Sequence, residues 1–146
     1  RPVHGVRAVL NQPTIVFVTV CTKQRTPWLA HEDVHQLLRQ VWRAATGWRV
    51  GQYLLMPDHV HFFAAPGDRD CSLEQWIRFW KTRFALDGGN PGHQWQSHHW
   101  DTRMRSAGQY AEKREYVRNN PVRKGLVRNP DAWPFQGILN DIPWYG

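Results

Sequence analysis

Two imidazoles and a phenol are the groups in this sequence best placed to do chemistry. The imidazoles belong to His59 and His61, inside the run Met56-Pro57-Asp58-His59-Val60-His61-Phe62-Phe63. On a strand, side chains two residues apart share a face, so both rings point one way while Val60 and Phe62 point the other. Two imidazoles a strand-step apart can grip one divalent ion. With 8 His in 146 residues, a His-x-His pair is by itself a low-specificity motif. Its apolar setting adds weight, because polar rings buried on a strand need partners. The phenol is Tyr116, four residues before Asn120. If one helix carries both, they lie on the same side of it. An Asn offers an amide oxygen to a metal, and a Tyr offers its phenol to whatever the metal holds. A free phenol is almost wholly protonated at neutral pH, so a nucleophilic role needs a nearby cation or a metal-held phosphate. The bland reading of Tyr116 is an amphipathic residue laying its ring on the core.

The elements that must position these groups are legible as periodicity. Residues 15–20 are β-branched and apolar throughout and read as a buried strand. Residues 31–46 carry Val34, Leu37, Leu38, Val41 and Ala45 at helical spacing, with Gly47 as the stop. Residues 48–56 and 59–65 read as two strands joined at Pro57-Asp58, a hairpin. Ser72 and Gln75 form a capping box for a helix running to about residue 86, with Trp76, Ile77, Trp80 and Phe84 on one face. Residues 95–105 read as a fourth, more polar strand. Ser106 caps a last helix reaching about residue 119, which Pro121 ends because the residue before a proline avoids the helical region. From residue 130 to 146 the chain reads as an irregular tail. The order β-α-β-β-α-β-α predicts an α/β (α+β) ferredoxin-like sandwich: a central, mostly antiparallel sheet, helices on one face, and a C-terminal tyrosine-bearing helix.

Composition bounds the rest. One domain over residues 1–146 is expected at this length. The formal net charge of +7 makes a polyanionic partner plausible. Nine Trp are mostly core fillers, but flat aromatics beside cations also stack unpaired bases. Cys21 and Cys71 form no Cys-x-x-Cys pattern, which fits a reducing cytosol and a cytoplasmic location. No apolar run approaches the ~20 residues of a membrane span, and no stretch reads as a signal peptide.

Taken together, the motifs resemble the single-tyrosine HUH transposases of bacterial insertion sequences, especially their REP-associated relatives. Those proteins carry a Met-Pro-Asn/Asp-His-Val-His run, matched here by Met56 to His61. They also carry a Tyr-Ile/Val-x-x-Asn-Pro-Val-x-x-Gly-Leu-Val run, matched by Tyr116-Val117-Arg118-Asn119-Asn120-Pro121-Val122-Arg123-Lys124-Gly125-Leu126-Val127. Shorter similarities include Phe17-Val18-Thr19, Lys81-Thr82-Arg83-Phe84, Trp95-Gln96 and Pro130-Asp131-Ala132-Trp133-Pro134. The resemblance implies that His59, His61 and Asn120 hold Mg²⁺ or Mn²⁺ and that Tyr116 is the nucleophile. It implies cleavage and rejoining of single-stranded DNA beside a palindromic hairpin, through a 5′-phosphotyrosine. One departure is Asp101-Thr102, where relatives often have Asp-His or Asp-Arg after the fourth-strand aromatic.

Basic residues crowd the same end of the chain: Lys113, Arg114, Arg118, Arg123, Lys124 and Arg128. A charge run is usually a solvated face, but beside such a site these are expected to line the DNA path, with Lys81 and Arg83 as further candidates. No long isolated helix demands a dimer, so a monomer is favoured over a homodimer. Two other readings compete. His31-Glu32-Asp33-Val34-His35 matches the zinc-peptidase pattern His-Glu-x-x-His, although it begins at a helix N-terminus, where Glu32 and Asp33 are ordinary first-turn residues. The second is a catalytically silent hairpin-DNA-binding regulator of the same fold; the presence of all four site residues argues against it.

Overall fold

The computed structural model describes residues 14–145. Its core is one antiparallel sheet of five strands: β1 (Val16–Cys21), β2 (Trp48–Leu55), β3 (His59–Pro66), β4 (Trp100–Arg103) and β5 (Gln136–Ile138). The spatial order is β4-β1-β3-β2-β5, the ferredoxin-like order with one strand added at the β2 edge. Four helices accompany it: α1 (Glu32–Ala44), α2 (Leu73–Gly88), α3 (Ala107–Arg118) and the short α4 (Asn120–Arg123).

Strand alternation divides the apolar residues between two cores. Val16, Val18 and Val20 of β1, with Val60, Phe62 and Ala64 of β3, meet α1 and α2 through Leu38, Val41, Trp42, Trp76, Ile77, Trp80 and Phe84. The opposite face presents Phe63 and Ala65 of β3 and Leu54 of β2 to Tyr110 and Val117 of α3 and to Trp133 and Ile142 of the tail. His59 and His61 lie on this second face. The expected capping box is present: Ser72 Oγ accepts from the Gln75 N–H, and Gln75 Oε1 accepts from the Ser72 N–H. That helix ends on Gly89, at φ 62°, the left-handed geometry that glycine adopts without strain.

Four sequence expectations need correction. The fourth strand covers only residues 100–103, because Trp95 turns inward against Trp28, Trp80 and Phe84; it joins the sheet through a single bridge to Thr22. The first helix stops at Ala44, and the Ala45 carbonyl accepts the Trp76 indole N–H at 2.7 Å instead. Pro121 interrupts the tyrosine helix without ending the helical course, since α4 follows at once. The tail is partly regular: β5 pairs with β2, and the Trp133 indole donates to the Leu55 carbonyl at 2.9 Å. That pairing rests on contacts between distant parts of the chain and leaves no periodic trace in three residues.

Candidate active site

The two histidines occupy the start of β3, where their rings meet edge to face with centroids 4.7 Å apart. Each has its Nδ1 engaged by an outer partner. His59 Nδ1 donates to Asp58 Oδ1 at 2.7 Å, and Arg25 Nε donates to Asp58 Oδ2 at 3.0 Å. His61 Nδ1 lies 2.8 Å from Thr19 Oγ1, its cross-strand partner on β1, and Phe17 stacks on its ring at 5.2 Å. With the proton on Nδ1, both rings keep the Nε2 lone pair for a ligand. This is the outer-shell arrangement that fixes a metal-binding imidazole's tautomer.

Electrostatics keep the rings neutral. Burial lowers the His59 pKa, against the opposing pull of Asp58. His61 is held down to about 3 by burial, then by the charges of His59, Lys113, Arg123 and Arg25. Burial alone would raise the Asp58 carboxyl, but hydrogen bonds from Arg25 and His59 bring it below its ordinary value. The turn supplying Arg25 is strained: Gln24 and Arg25 sit at φ 57° and 56°, a region costing on the order of 1–3 kcal/mol per non-glycine residue. Thr22 pins this turn to the hairpin through its backbone N–H, which donates to the Asp58 carbonyl at 2.9 Å.

The tyrosine helix meets this face through cations. Tyr116 is 57% exposed. Arg123 lies over its ring at 3.6 Å, and Lys113 at 5.2 Å. Lys113 also lies 5.3 Å from the Phe17 ring, the ring that stacks on His61. The two cations beside Tyr116 are thus among those that depress His61. Asn120 opens α4 and is only 6% exposed. Its side-chain amide has no hydrogen-bond partner among the described residues. Tyr116 and Asn120 differ sharply in exposure, and the αR conformation of Asn119 carries the helical course from α3 into α4 between them.

A metal here would draw on His59, His61 and Asn120. Among the described residues no three His, Cys, Asp or Glu side chains form a metal-binding group. Two neutral imidazoles anchored through Nδ1 nevertheless suit an open divalent site whose other positions go to oxygen donors such as an amide, water or substrate.

The structure separates the candidate cations. Lys113 and Arg123 contact Tyr116, and the exposed Lys124 acts on His59. Arg118 is instead paired with Asp131 and Glu115, and Arg83 with Asp87 at 3.0 Å. Arg114 binds Gln52 at 3.0 Å and covers Tyr110. Lys81 donates to the Gln96 carbonyl at 2.8 Å, with burial lowering its pKa to about 8. Arg128 is exposed. The peptidase pattern dissolves: His31 lies outside α1, and His35 is buried with Nε2 2.6 Å from the Tyr53 hydroxyl. At the position of departure, Asp101 bonds His99 at 2.9 Å and, paired with Val18, belongs to the face opposite His61. Sequence reasoning gave no role to Thr19, Arg25, Asp58 or Phe17. Only Asp58, adjacent to His59, had a local signal.

No family model matches the chain. A REP-associated tyrosine transposase of Escherichia coli is 29% identical over 94 residues, covering 64% of this chain and 56% of that protein. A Haemophilus influenzae relative is 24% identical over 101 residues, covering 60% of this chain and 57% of its own length. The matched region therefore spans little more than half of either relative. The solved structure of a REP-associated tyrosine transposase bound to a REP hairpin superposes with a TM-score of 0.74 at 23% identity, covering 97% of this chain and 90% of that one. At that identity the superposition establishes the shared fold. In sequence the chain is similar to REP-associated tyrosine transposases, and it shares the fold of one of them.

Proposed function

We propose that the protein cleaves and rejoins single-stranded DNA beside a hairpin, with Tyr116 as nucleophile. The observation that carries this reading is the convergence on one sheet face of two neutral imidazoles, each anchored through Nδ1, and a tyrosine flanked by Lys113 and Arg123. His59, His61 and Asn120 would hold Mg²⁺ or Mn²⁺. When bound, the ion supplies Lewis-acid neutralisation of charge on the phosphate. Asp58 and Thr19 keep the imidazole protons on Nδ1, and Lys113 and Arg123 meet the phosphate's negative charge beside the phenol.

In the forward step the Tyr116 oxygen bonds to phosphorus and the bond from phosphorus to the 3′ oxygen breaks. The phenol proton passes to solvent, and the leaving oxygen takes one up to become a 3′-OH. The products are a 5′-phosphotyrosine and a free 3′ end. One phosphodiester is exchanged for another, so a 3′-OH can reverse the step and reseal DNA without a nucleotide cofactor. The partner is single-stranded DNA with a palindromic hairpin, in keeping with the hairpin carried by the solved fold relative.

The test is a denaturing-gel assay on end-labelled hairpins from the DNA flanking the gene. It is run with Mn²⁺, with EDTA, and with Tyr116→Phe. A covalent adduct that needs the metal and disappears in the variant is expected. An adduct that survives Tyr116→Phe, or hairpin binding with no adduct on any substrate, would overturn the reading.

A further inference from the structure

Trp100 is the outlier among the nine tryptophans. Trp28, Trp42, Trp48, Trp76, Trp80 and Trp133 are buried, whereas Trp100 is 54% exposed on the edge strand β4. Exposing so large an apolar ring is costly unless something covers it. Its register fixes where it lies. Trp100 pairs with Thr19, and Thr19 pairs with His61. Directly opposed residues of an antiparallel sheet share a face, and the Thr19–His61 hydrogen bond places Thr19 on the histidine side. Trp100 therefore stands two strands from His61 on the same face, about 10 Å away at the usual strand spacing. Thr102, the next residue on that face of β4, pairs with Phe17, over which Lys113 sits. His98 braces the Trp100 indole at a steep 73°, and no ring lies flat on it among the described residues.

We propose that Trp100 is a stacking platform for an unpaired nucleobase adjacent to the scissile phosphate. The inference deepens the proposed function and rests on it for the nature of the ligand. An open indole face beside a cationic patch matches the chemistry of single-stranded DNA: a base with two π faces on a polyanionic backbone. Duplex DNA has its bases stacked on one another and offers this ring nothing comparable. Stacking is tolerant of sequence, so the site sets the strandedness of the substrate rather than its bases.

The test compares wild type, Trp100→Ala and Trp100→Phe in binding a mixed-sequence single-stranded oligonucleotide and a blunt duplex of the same sequence. Trp100→Ala is expected to weaken single-strand binding about 5- to 150-fold, the range of base–aromatic stacking, with duplex binding unchanged. Trp100→Phe should restore most of the loss, and an abasic site placed opposite the ring should cost wild type affinity but cost the Ala variant none. Unchanged single-strand affinity, or an equal loss on both probes, overturns the platform. Failure of the function is read separately, by the absence of a Tyr116 adduct in wild type, because the strand preference is measured without cleavage.

Discussion

Thr19→Val is the sharpest test of how the histidine site is held. The substitution preserves side-chain shape and deletes one hydroxyl, the group 2.8 Å from His61 Nδ1. His61 makes no other side-chain hydrogen bond among the described residues. On the tautomer proposed above, the native ring keeps its proton on Nδ1 and its lone pair on Nε2. Once the hydroxyl is gone, two outcomes compete. The Nδ1–H stays and is buried without an acceptor, at about 1–3 kcal/mol. Alternatively, the proton moves to Nε2 and must be returned before that nitrogen can bind an ion. The first outcome is present with and without metal and lowers only folding stability. In the second, the free energy of returning the proton is subtracted from metal binding, up to about 5- to 150-fold at about 1.36 kcal/mol per tenfold change. Calorimetric titration with Mn²⁺ measures this directly. Cleavage against Mn²⁺ concentration should shift by the same factor, with the rate returning to the wild-type level at saturating metal, because Tyr116 is untouched. A thermal melt checks that the variant is folded. Unchanged Mn²⁺ affinity in a folded Thr19→Val protein would refute the claim that Thr19 sets the His61 tautomer.

Three more outcomes follow from the geometry. His61 titrates near about 3 in the folded chain and near ~6.5 unfolded, so between those values the unfolded state binds the extra proton. Stability should be intact above about 6.5 and fall as pH drops toward 3, by up to about 1.4 kcal/mol per unit, seen as a falling Tm that His61→Gln makes less steep. Lys113→Ala and Arg123→Ala should each flatten the salt dependence of DNA binding by about one unit of logarithmic slope, while Arg83→Ala, whose partner is Asp87, should leave the slope unchanged in the same filter-binding series. Trp80→Ala removes a fully buried indole from the core under α2 and should cost about 3–5 kcal/mol in urea denaturation.

What the sequence made legible was governed by short-range rules. Alternation in residues 59–65 put both histidines on one face, and Ser72 with Gln75 announced the start of α2. Tyr116 and Asn120 stood out only as members of a longer motif; their spacing did not foretell that one is exposed and the other buried. The parts that escaped depend on residues far apart in the chain. Arg25 reaches Asp58 across 33 positions from a turn whose left-handed backbone no glycine announces. Which cations face the site is equally nonlocal: Arg118 looks like Arg123 in sequence, and its ion pair with the distant Asp131, beside that with Glu115, distinguishes them. Trp95 looked like strand because its neighbours did, yet its ring packs in the core.

The segment after α4 has a consequence for the timing of biosynthesis. Trp133 closes onto Leu55, 78 residues earlier, and the Tyr110 hydroxyl donates to the Ile142 carbonyl at 2.7 Å. During translation the three strands β1, β2 and β3 and the histidine pair can form while the tyrosine helix still lacks this brace. The helix bearing Tyr116 gains this brace only after residue 142 has cleared the ribosome. A nascent chain thus carries the histidine pair on its sheet well before the helix that bears Tyr116 is secured.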